Sequence, residues 1–256
     1  MRTVLVLLKP RYHASFLAIA IGALLFAGTP DRALALRLAV LYVSFNVLLY
    51  GGIYTFNDIA DRADDARHPA KALRPIASGR IGVASAAAAG AALCAAGIAI
   101  AVVFLPAPIL ACYAAVVALN AAYSGGGRGM PVLDVALNAA PHAVRFLMGT
   151  LLVERVPPPG HLAAWFCLAA GISCVRRLVE KEAGGDAARP VLRHYTIGGL
   201  SFAADAGFAG VALCAAIDGM ASPGFYAIVT SGYLLLVVSA RRVPAAHVGF
   251  ERLWLR

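Results

Sequence analysis

Acidic residues with a regular spacing follow the second long apolar segment of the chain. Asp58, Asp61 and Asp65 stand at positions i, i+3 and i+7, directly after Asn57. On an α-helix this spacing puts the three carboxylates on one face, where they repel one another unless a cation neutralises them. Hard oxygen ligands select Mg²⁺ or Ca²⁺, and Mg²⁺ typically binds through one or two carboxylates together with substrate phosphates. The spacing therefore predicts a Mg²⁺ site at these aspartates, to which Asn57 adds an amide oxygen.

Two basic residues, Lys71 and Arg74, follow the acidic run. Their side chains are suited to neutralise the oxygens of a diphosphate through charge-assisted hydrogen bonds. Pro69 and Pro75 restrict the backbone of the loop that carries them. A solvated charged loop between two membrane spans is the alternative interpretation, but the ordered series of Asn, spaced Asp and trailing cations favours a diphosphate-binding site.

A second group of polar residues lies inside a later apolar segment. Asp134, Asn138, His142 and Arg145 stand at i, i+4, i+8 and i+11, which is one face of a helix. Ionisable residues within a membrane are costly and usually face an internal cavity or a partner. Two interpretations of Arg145 remain open: it binds the phosphate of an acceptor substrate, or it pairs with Asp134 or another carboxylate. Asp205, in a further apolar segment, lines the same cavity or forms a hydrogen bond between helices.

Composition indicates that membrane helices position these residues. The chain has 256 residues, of which 61% are hydrophobic and 14% charged, whereas soluble domains contain about 45–50% apolar and about 25% charged residues. A span needs about 20 mostly apolar residues, and the sequence predicts about eight spans. They are residues 14–29, 36–56, 82–105, 107–123, 132–153, 161–180, 197–217 and 223–240. The expected fold class is all-α, a polytopic transmembrane helical bundle that forms one domain over residues 1–256.

The net charge of +9 follows the expected topology rather than a nucleic-acid surface. With the N-terminus in the cytoplasm, only Arg32, Arg37 and Arg155 fall on the opposite side, and Arg145 lies within a span. Because cytoplasmic loops carry an excess of Lys and Arg, both termini are expected in the cytoplasm. The predicted location is a bacterial-type inner (plasma) membrane with the active site facing the cytoplasm, and no nucleic-acid partner is expected.

The acidic segment resembles the UbiA superfamily of membrane prenyltransferases. The first signature of that family is N-D-x-x-D-x-x-x-D followed by R-P-(I/L)-x-S-G, and this chain supplies both between residues 57 and 79. The resemblance implies an all-helical bundle with a cavity that opens toward the cytoplasm and laterally toward lipid. It also implies that the Asp-rich motif holds Mg²⁺ and a diphosphate.

The second half of the site departs from the commonest pattern of that superfamily. Members that prenylate aromatic rings carry a second Asp-rich motif, D-x-x-x-D or a close variant, whereas residues 175–196 read VRRLVEKEAGGDAARPVLRHYT. Arg176 and Arg177 stand one turn before Glu180, which favours an anion clamp over a second Mg²⁺ cage. If the donor is a prenyl diphosphate, Glu180 or Asp186 replaces the missing motif.

Other elements are similar to the decaprenyl-phosphate phosphoribosyltransferase branch of the superfamily. They are H-P-x-K at 68–71, Y-S-x-x-x-(K/R)-x-x-x-x-L-D at 123–134, an Arg at 145, (K/R)-R-x-x-E at 176–180 and R-x-x-L-x-x-Y-T at 189–196. The resemblance implies Mg²⁺-dependent transfer of 5-phosphoribose from phosphoribosyl diphosphate to a polyprenyl phosphate lipid. The alternatives are prenyl transfer from a prenyl diphosphate to an aromatic or lipid acceptor, a terpene cyclase of the same fold, and a transporter. Charged residues at one membrane face, rather than at the midplane, argue against the transporter.

The candidate residues form three sets. The metal ligands are Asp58, Asp61 and Asp65, and the catalytic candidates are Asp58, Asp61, Asp134 and Glu180. The substrate-binding candidates are Asn57, Lys71, Arg74, Tyr123, Arg128, Arg145, Arg176, Arg177 and Tyr195.

Overall fold

The described elements are helical, and they occupy the predicted apolar segments. The computed structural model describes residues 10–67, 71–185, 189–218 and 222–243, together with residues 247 and 249. The helices are α1 (Leu17–Phe26), α2 (Arg32–Ala60), α3 (Arg62–Arg67), α4 (Val83–Phe104), α5 (Pro108–Ser124), α6 (Leu133–Leu152), α7 (Pro159–Glu182), α8 (Ile197–Ile217) and α9 (Pro223–Arg242). No β-strand occurs in these ranges, so the predicted all-α fold class is confirmed.

Six helices are long and apolar enough to cross a membrane, judged by length and composition over the described residues. They are α2, α4, α6, α7, α8 and α9. Two shorter apolar helices, His13–Phe26 and Pro108–Ser124, occupy the other two predicted segments. A chain with this set of apolar helices is an integral membrane protein.

Local sequence determines where several of these helices begin. The side chain of Asp31 accepts a hydrogen bond of 2.7 Å from an N–H group in the first turn of α2, and Thr196 does the same for α8 at 2.9 Å. Such caps satisfy backbone donors that have no partner within the helix. Pro159 and Pro223 stand in the first turns of α7 and α9, where the missing N–H costs no hydrogen bond.

The described chain forms two compact units. The first unit contains residues 10–120 and 148–155, and the second contains residues 121–147 and 156–243. In the first unit, glycines allow the backbones of α2 and α4 to touch. A Cβ atom on Gly97 would stand 2.5 Å from the carbonyl oxygen of Ser44, and one on Gly52 would stand 2.7 Å from that of Gly90. Small residues at such crossings permit the close approach on which helix association in lipid depends.

We expect Gly97→Ala to destabilise the first unit, because the new methyl group would overlap the carbonyl of Ser44. Overpacking of this kind costs about 1–3 kcal/mol, and each kcal/mol lowers the thermal midpoint by roughly 2–4 °C in a chain of this size. Thermal unfolding of the purified protein in detergent measures the shift. Gly82→Ala is the matched control, since nothing lies within 4 Å of a Cβ atom there. Equal shifts in the two variants would contradict the packing argument.

In the second unit, α7 packs closely against α8, and α9 supplies a tyrosine that fits between them. The Tyr233 hydroxyl lies where Cβ atoms on Gly171 and Gly207 would stand, and it donates a hydrogen bond to the carbonyl oxygen of Ala204. Only glycine leaves room for the hydroxyl at these two positions. The contact fixes α7, which carries Arg176 and Arg177, against its neighbour.

Candidate active site

The acidic residues of the first unit lie at the junction between α2 and α3. The junction is Asp61, whose backbone has φ −85° and ψ 0°. Hydrogen bonds from Asp61 N to Asn57 O (2.9 Å) and from Asp65 N to Asp61 O (2.8 Å) continue the helical spacing across the junction. Asp58 and Asp65 are 6% and 3% exposed, whereas Asp61 and Asn57 are half-buried. The most enclosed carboxylates of the motif are therefore those of Asp58 and Asp65.

A single arginine joins these two carboxylates. The Nη1 atom of Arg74 lies 2.7 Å from Oδ2 of Asp65 and 3.4 Å from Oδ1 of Asp58. Lys71 contributes a second cation, with its Nζ atom 3.7 Å from Oδ1 of Asp65. Two carboxylates and two cations thus meet in one cluster. The sequence predicted that all four residues belong to one site, but it did not predict that Arg74 would bridge the aspartates.

The loop that carries Arg74 is fastened on the C-terminal side of that residue. Ser78 donates its backbone N–H (2.9 Å) and its hydroxyl (2.8 Å) to the carbonyl oxygen of Arg74. Ile76 is fully buried in a small apolar cluster with Ala86 and Ile59. These contacts hold the backbone on the C-terminal side of Arg74, whose side chain is 32% exposed.

The geometry of the aspartate pair fits a divalent cation that also binds phosphate. One carboxylate oxygen of Asp58 and one of Asp65 lie 3.4 and 2.7 Å from the same nitrogen atom of Arg74, and carboxylate oxygens are the ligands that Mg²⁺ prefers. Among the described residues, no group of three His, Cys, Asp or Glu side chains is gathered closely enough to hold a metal by itself. Mg²⁺ characteristically completes its octahedron with water and substrate phosphates rather than with an all-protein cage.

In the second unit a buried arginine organises a polar network. Arg177, on α7, has a fully buried side chain, and its Nε atom donates to Oδ2 of the equally buried Asp134 at 2.7 Å. Its Nη1 atom donates to Oε2 of Glu180 (3.3 Å) and its Nη2 atom to the hydroxyl of Tyr123 (3.4 Å). All three nitrogen atoms of the guanidinium group are therefore engaged, which fixes its orientation.

Two partly exposed arginines flank this network. Arg176 donates from Nε to Oε1 of Glu180 at 3.0 Å, and its side chain is 37% exposed. Arg189 is 29% exposed, and it lies 3.4 Å from Oε2 of Glu180 and 3.6 Å from Oδ2 of Asp134. With Arg177, three arginines face two carboxylates, and the cluster retains one positive charge. Glu180 is enclosed by cations, which suits anion binding better than a second metal site.

Arg189 is the member of this network that was absent from the candidate residues. It precedes the turn Pro190–His194 and lies beyond the end of α7 at Glu182, so no helical periodicity links it to α6 or α7. The signal that pointed to it was the R-x-x-L-x-x-Y-T element, of which only Tyr195 was selected. Its Nη1 atom also donates to the hydroxyl of Tyr123 at 3.4 Å.

Tyr195 holds Asp134 from the other side. Its hydroxyl donates to Oδ1 of Asp134 at 2.8 Å and accepts a hydrogen bond from the backbone N–H of Val132 at 2.8 Å. Val132 has a φ of 66°, a left-handed conformation that β-branched residues rarely adopt. Burial of the phenol and its hydrogen bond to Asp134 raise the pKa of Tyr195 to about 12. Tyr195 is therefore a neutral donor at physiological pH.

Replacement of Tyr195 by phenylalanine is expected to change the alkaline limb of the stability profile. The pKa of a free tyrosine is about 10, and the folded protein holds the proton up to about 12. The stabilisation is therefore complete below pH 10 and is lost as the pH rises from 10 to about 12. Chemical or thermal unfolding between pH 8 and 12 should show a shallower loss for Tyr195→Phe than for the unmodified protein. Parallel profiles would contradict this assignment.

The remaining candidate residues take different positions. Arg145 is buried in α6, and the 11 residues that separate it from Asp134 correspond to about 16 Å of helix, so Arg177 rather than Arg145 neutralises Asp134. Arg128 is exposed on the turn Gly127–Gly129, which contacts the turn that follows Arg189. Asp205 on α8 accepts two hydrogen bonds, of 2.6 and 3.1 Å, from Arg241 on α9. Of the two predicted alternatives for Asp205, this contact is the hydrogen bond between helices. Asp186 and His68 lie outside the described residues.

Comparison with curated proteins finds two partial relatives. The chain shares 31% identity over 152 residues with the nodulation protein NoeC of Azorhizobium caulinodans, which is 58% of this chain and 49% of that protein. It shares 31% identity over 131 residues with the decaprenyl-phosphate phosphoribosyltransferase of Corynebacterium glutamicum, which is 50% of this chain and 38% of that protein. The matched segments thus span half or less of the length of these relatives.

Solved structures share the fold across nearly the whole chain. A UbiA homolog from Archaeoglobus fulgidus bound to GPP and Mg²⁺ superposes with a TM-score of 0.79 at 19% identity, covering 99% of this chain and 95% of the other. The apo structure of a UbiA homolog from Aeropyrum pernix K1 has a TM-score of 0.69 at 20% identity and covers 97% and 95%. At these identities the likeness establishes the fold.

The model of the UbiA prenyltransferase family matches residues 15–247, a range that includes both polar clusters. The predicted resemblance and the predicted class, a membrane transferase, are confirmed at the level of the family. This chain belongs to the UbiA prenyltransferase family.

Proposed function

We propose that the protein transfers 5-phosphoribose from phosphoribosyl diphosphate to a polyprenyl phosphate, in a Mg²⁺-dependent reaction on the cytoplasmic side of a bacterial-type plasma membrane. The observation that carries the proposal is the arginine network of the second unit. Arg176, Arg177 and Arg189 surround Glu180 and Asp134, where many family members place a second acidic motif. The partial relative from Corynebacterium glutamicum supports the same activity.

The proposal accounts for two separate groups of cations by the charge of the substrates. A prenyl diphosphate has one charged end and an apolar tail, so a single metal and its neighbouring cations suffice. Phosphoribosyl diphosphate carries a 5-phosphate in addition to its diphosphate, and a polyprenyl phosphate adds a third anionic group. We propose that Arg128, Arg176 and Arg189, which are exposed or partly exposed, contact phosphate. Arg145 is buried in α6, as Arg177 is in α7, so it is not assigned to a phosphate.

The residues of the first unit would hold the diphosphate of the donor. Asp58 and Asp65, with Asp61 and Asn57 beside them, would bind Mg²⁺, which supplies charge neutralisation for the departing diphosphate. Lys71 and Arg74 would bind diphosphate oxygens. In the transfer, the bond between C1 of the ribose and the diphosphate oxygen breaks, and a bond from C1 to an oxygen of the lipid phosphate forms. The lipid phosphate is anionic near neutral pH, so no strong general base is required.

The buried members of the second cluster have a supporting role in this proposal. Arg177 has no exposed surface, and Asp134 is equally buried. We assign these two residues, with Tyr195 and Tyr123, to positioning Arg176 and Arg189 through Glu180 and the shared hydrogen bonds. Asp134 and Glu180 would act by fixing cations and not by transferring protons.

A second candidate is transfer of a prenyl group from a prenyl diphosphate to an aromatic or lipid acceptor, or cyclisation of that donor. The observation that favours it is the fold shared with the Archaeoglobus fulgidus homolog, whose structures contain GPP or DMAPP together with Mg²⁺. Both candidates assign the metal and the donor diphosphate to the first unit. They differ in the use of the arginine network.

Direct labelling distinguishes the candidates. The purified protein in detergent is incubated with a polyprenyl phosphate, Mg²⁺ and either phosphoribosyl diphosphate labelled in the ribose or a labelled prenyl diphosphate. We expect label from the ribose in the lipid fraction, and none when the polyprenyl phosphate is omitted. Incorporation from the prenyl diphosphate alone, or a thermal shift with prenyl diphosphate and none with phosphoribosyl diphosphate, would refute phosphoribosyl transfer.

A further inference from the structure

We infer that Arg74 binds to one of two partners. Without a divalent cation it bridges Asp58 and Asp65 in place of the metal, and when a divalent cation and a diphosphate are bound it leaves the carboxylates and contacts the diphosphate oxygens. The inference rests on the metal role in the proposed function. It concerns the state of the site between turnovers, and it makes Arg74 a positioning residue with two alternative partners.

The burial of the two carboxylates requires a substitute cation. Asp58 and Asp65 are almost fully enclosed, and both reach the same guanidinium nitrogen. Two buried carboxylates near one another are strongly unfavourable when no positive charge lies between them. Lys71 is a weaker substitute, because it lies 3.7 Å from Asp65 alone and its side chain is 45% exposed. Among the described residues, Arg74 is a cation that contacts both carboxylates.

The charge balance of the cluster favours an exchange over simple addition of a metal. Asp58, Asp65, Lys71 and Arg74 carry no net charge together. With Asp61 counted, a divalent cation on the aspartates would leave the cluster with one positive charge, and it would compete with Arg74 for the oxygens of Asp58 and Asp65. A diphosphate removes that excess, and its oxygens offer Arg74 the bidentate partner that guanidinium groups prefer.

The loop is built so that the exchange needs little backbone movement. Ser78 holds the carbonyl oxygen of Arg74 with two hydrogen bonds, and Ile76 is anchored in its apolar cluster. The Arg74 side chain itself is 32% exposed. A rotation about the side-chain bonds of Arg74 therefore suffices, with the main chain retained.

The test compares thermal unfolding of the full-length protein in detergent with EDTA and with Mg²⁺ alone. In EDTA, Arg74→Gln is expected to lower the midpoint by on the order of 5 °C, because the aspartate pair loses its bridge. Mg²⁺ should then raise the midpoint of Arg74→Gln more than that of the unmodified protein, with a dissociation constant about tenfold lower by calorimetry. Arg80→Gln is the matched control from the same loop, since Arg80 contacts Ser78 and the Leu73 carbonyl rather than the aspartates. Its midpoint should rise with Mg²⁺ by the same amount as that of the unmodified protein.

A second comparison keeps the inference falsifiable if Arg74→Gln folds poorly. In the Asp65→Asn variant the two carboxylates no longer repel each other. Adding Arg74→Gln to that variant should therefore lower the midpoint in EDTA by less than half as much as it does in the unmodified protein. Equal midpoints for Arg74→Gln and the unmodified protein in EDTA, or equal responses to Mg²⁺, would overturn the exchange. A response to Mg²⁺ in neither protein would overturn the exchange together with the metal role. Phosphoribosyl transfer is tested separately by the labelled donors.

Discussion

Asp58→Asn is expected to reduce turnover by roughly 10²–10³-fold or more, which is the effect of removing one preorganised electrostatic group from an active site. Asparagine has the shape of aspartate and retains an oxygen ligand, but it removes the charge that attracts a divalent cation. Asp58 is buried, and its loss would remove one of the three carboxylates assigned to the metal. Asp61→Asn is expected to have a comparable effect. The measurement is incorporation of labelled donor into lipid over a range of Mg²⁺ concentrations.

Removal of the metal should reproduce the effect reversibly. EDTA is expected to abolish incorporation, and excess Mg²⁺ should restore it in the unmodified protein but not in Asp58→Asn. Asp64→Asn is the matched control, because Asp64 is adjacent to Asp65 in sequence but lies off the face that the other aspartates share on a helix. Full turnover in EDTA would exclude the metal role, and equal losses in Asp58→Asn and Asp64→Asn would exclude the assigned face.

The fold followed from the sequence because membrane helices are specified locally. Most spans are runs of apolar residues of about the length that a bilayer requires. Because lipid offers no hydrogen-bond partners, the backbone of such a run satisfies its own N–H and C=O groups by forming a helix. The helix ends at Asp31, Thr196 and Pro159 are equally local, since a cap or a proline acts within one turn. The span of α2 was predicted at residues 36–56, and the helix continues to Ala60 because the motif itself is helical.

The sequence predicted which candidate residues lie together only where a helical spacing links them, as it does across the junction of α2 and α3. The spacing of Asp58 and Asp65 predicted a common face, whereas Arg74 reaches them from a loop whose course no periodicity specifies. Arg177 was expected to neutralise a substrate phosphate, and its burial against Asp134 depends on how α6 and α7 pack. Arg189 meets Asp134 across 55 positions of sequence. Partners at such separations are chosen by tertiary structure, which composition and spacing do not encode.

Arg177→Ala is expected mainly to lower stability, whereas Arg189→Ala is expected mainly to weaken use of the donor substrate. Arg177 is buried and donates to Asp134 and Glu180, so its removal leaves a buried carboxylate without its main cation. Breaking a buried pair in this way costs about 3–5 kcal/mol. Arg189 is partly exposed, and its loss should spare most of the stability while it weakens the use of phosphoribosyl diphosphate. One charge-assisted hydrogen bond contributes about 1.5–3 kcal/mol, which corresponds to roughly one to two orders of magnitude in kcat/KM.

The two variants are compared by thermal unfolding and by KM for each labelled donor. Arg193→Ala, an exposed arginine in the turn Pro190–His194, is the control for loss of positive charge alone. For Arg177→Ala, a second change of Asp134→Asn should recover part of the lost stability, because it removes the uncompensated charge. A variant at Arg189 that lowers stability and leaves KM unchanged would assign the whole cluster to folding. The excess positive charge of the network would then have no phosphate to bind. Prenyl transfer, whose donor needs cations at its diphosphate only, would become the better-supported function.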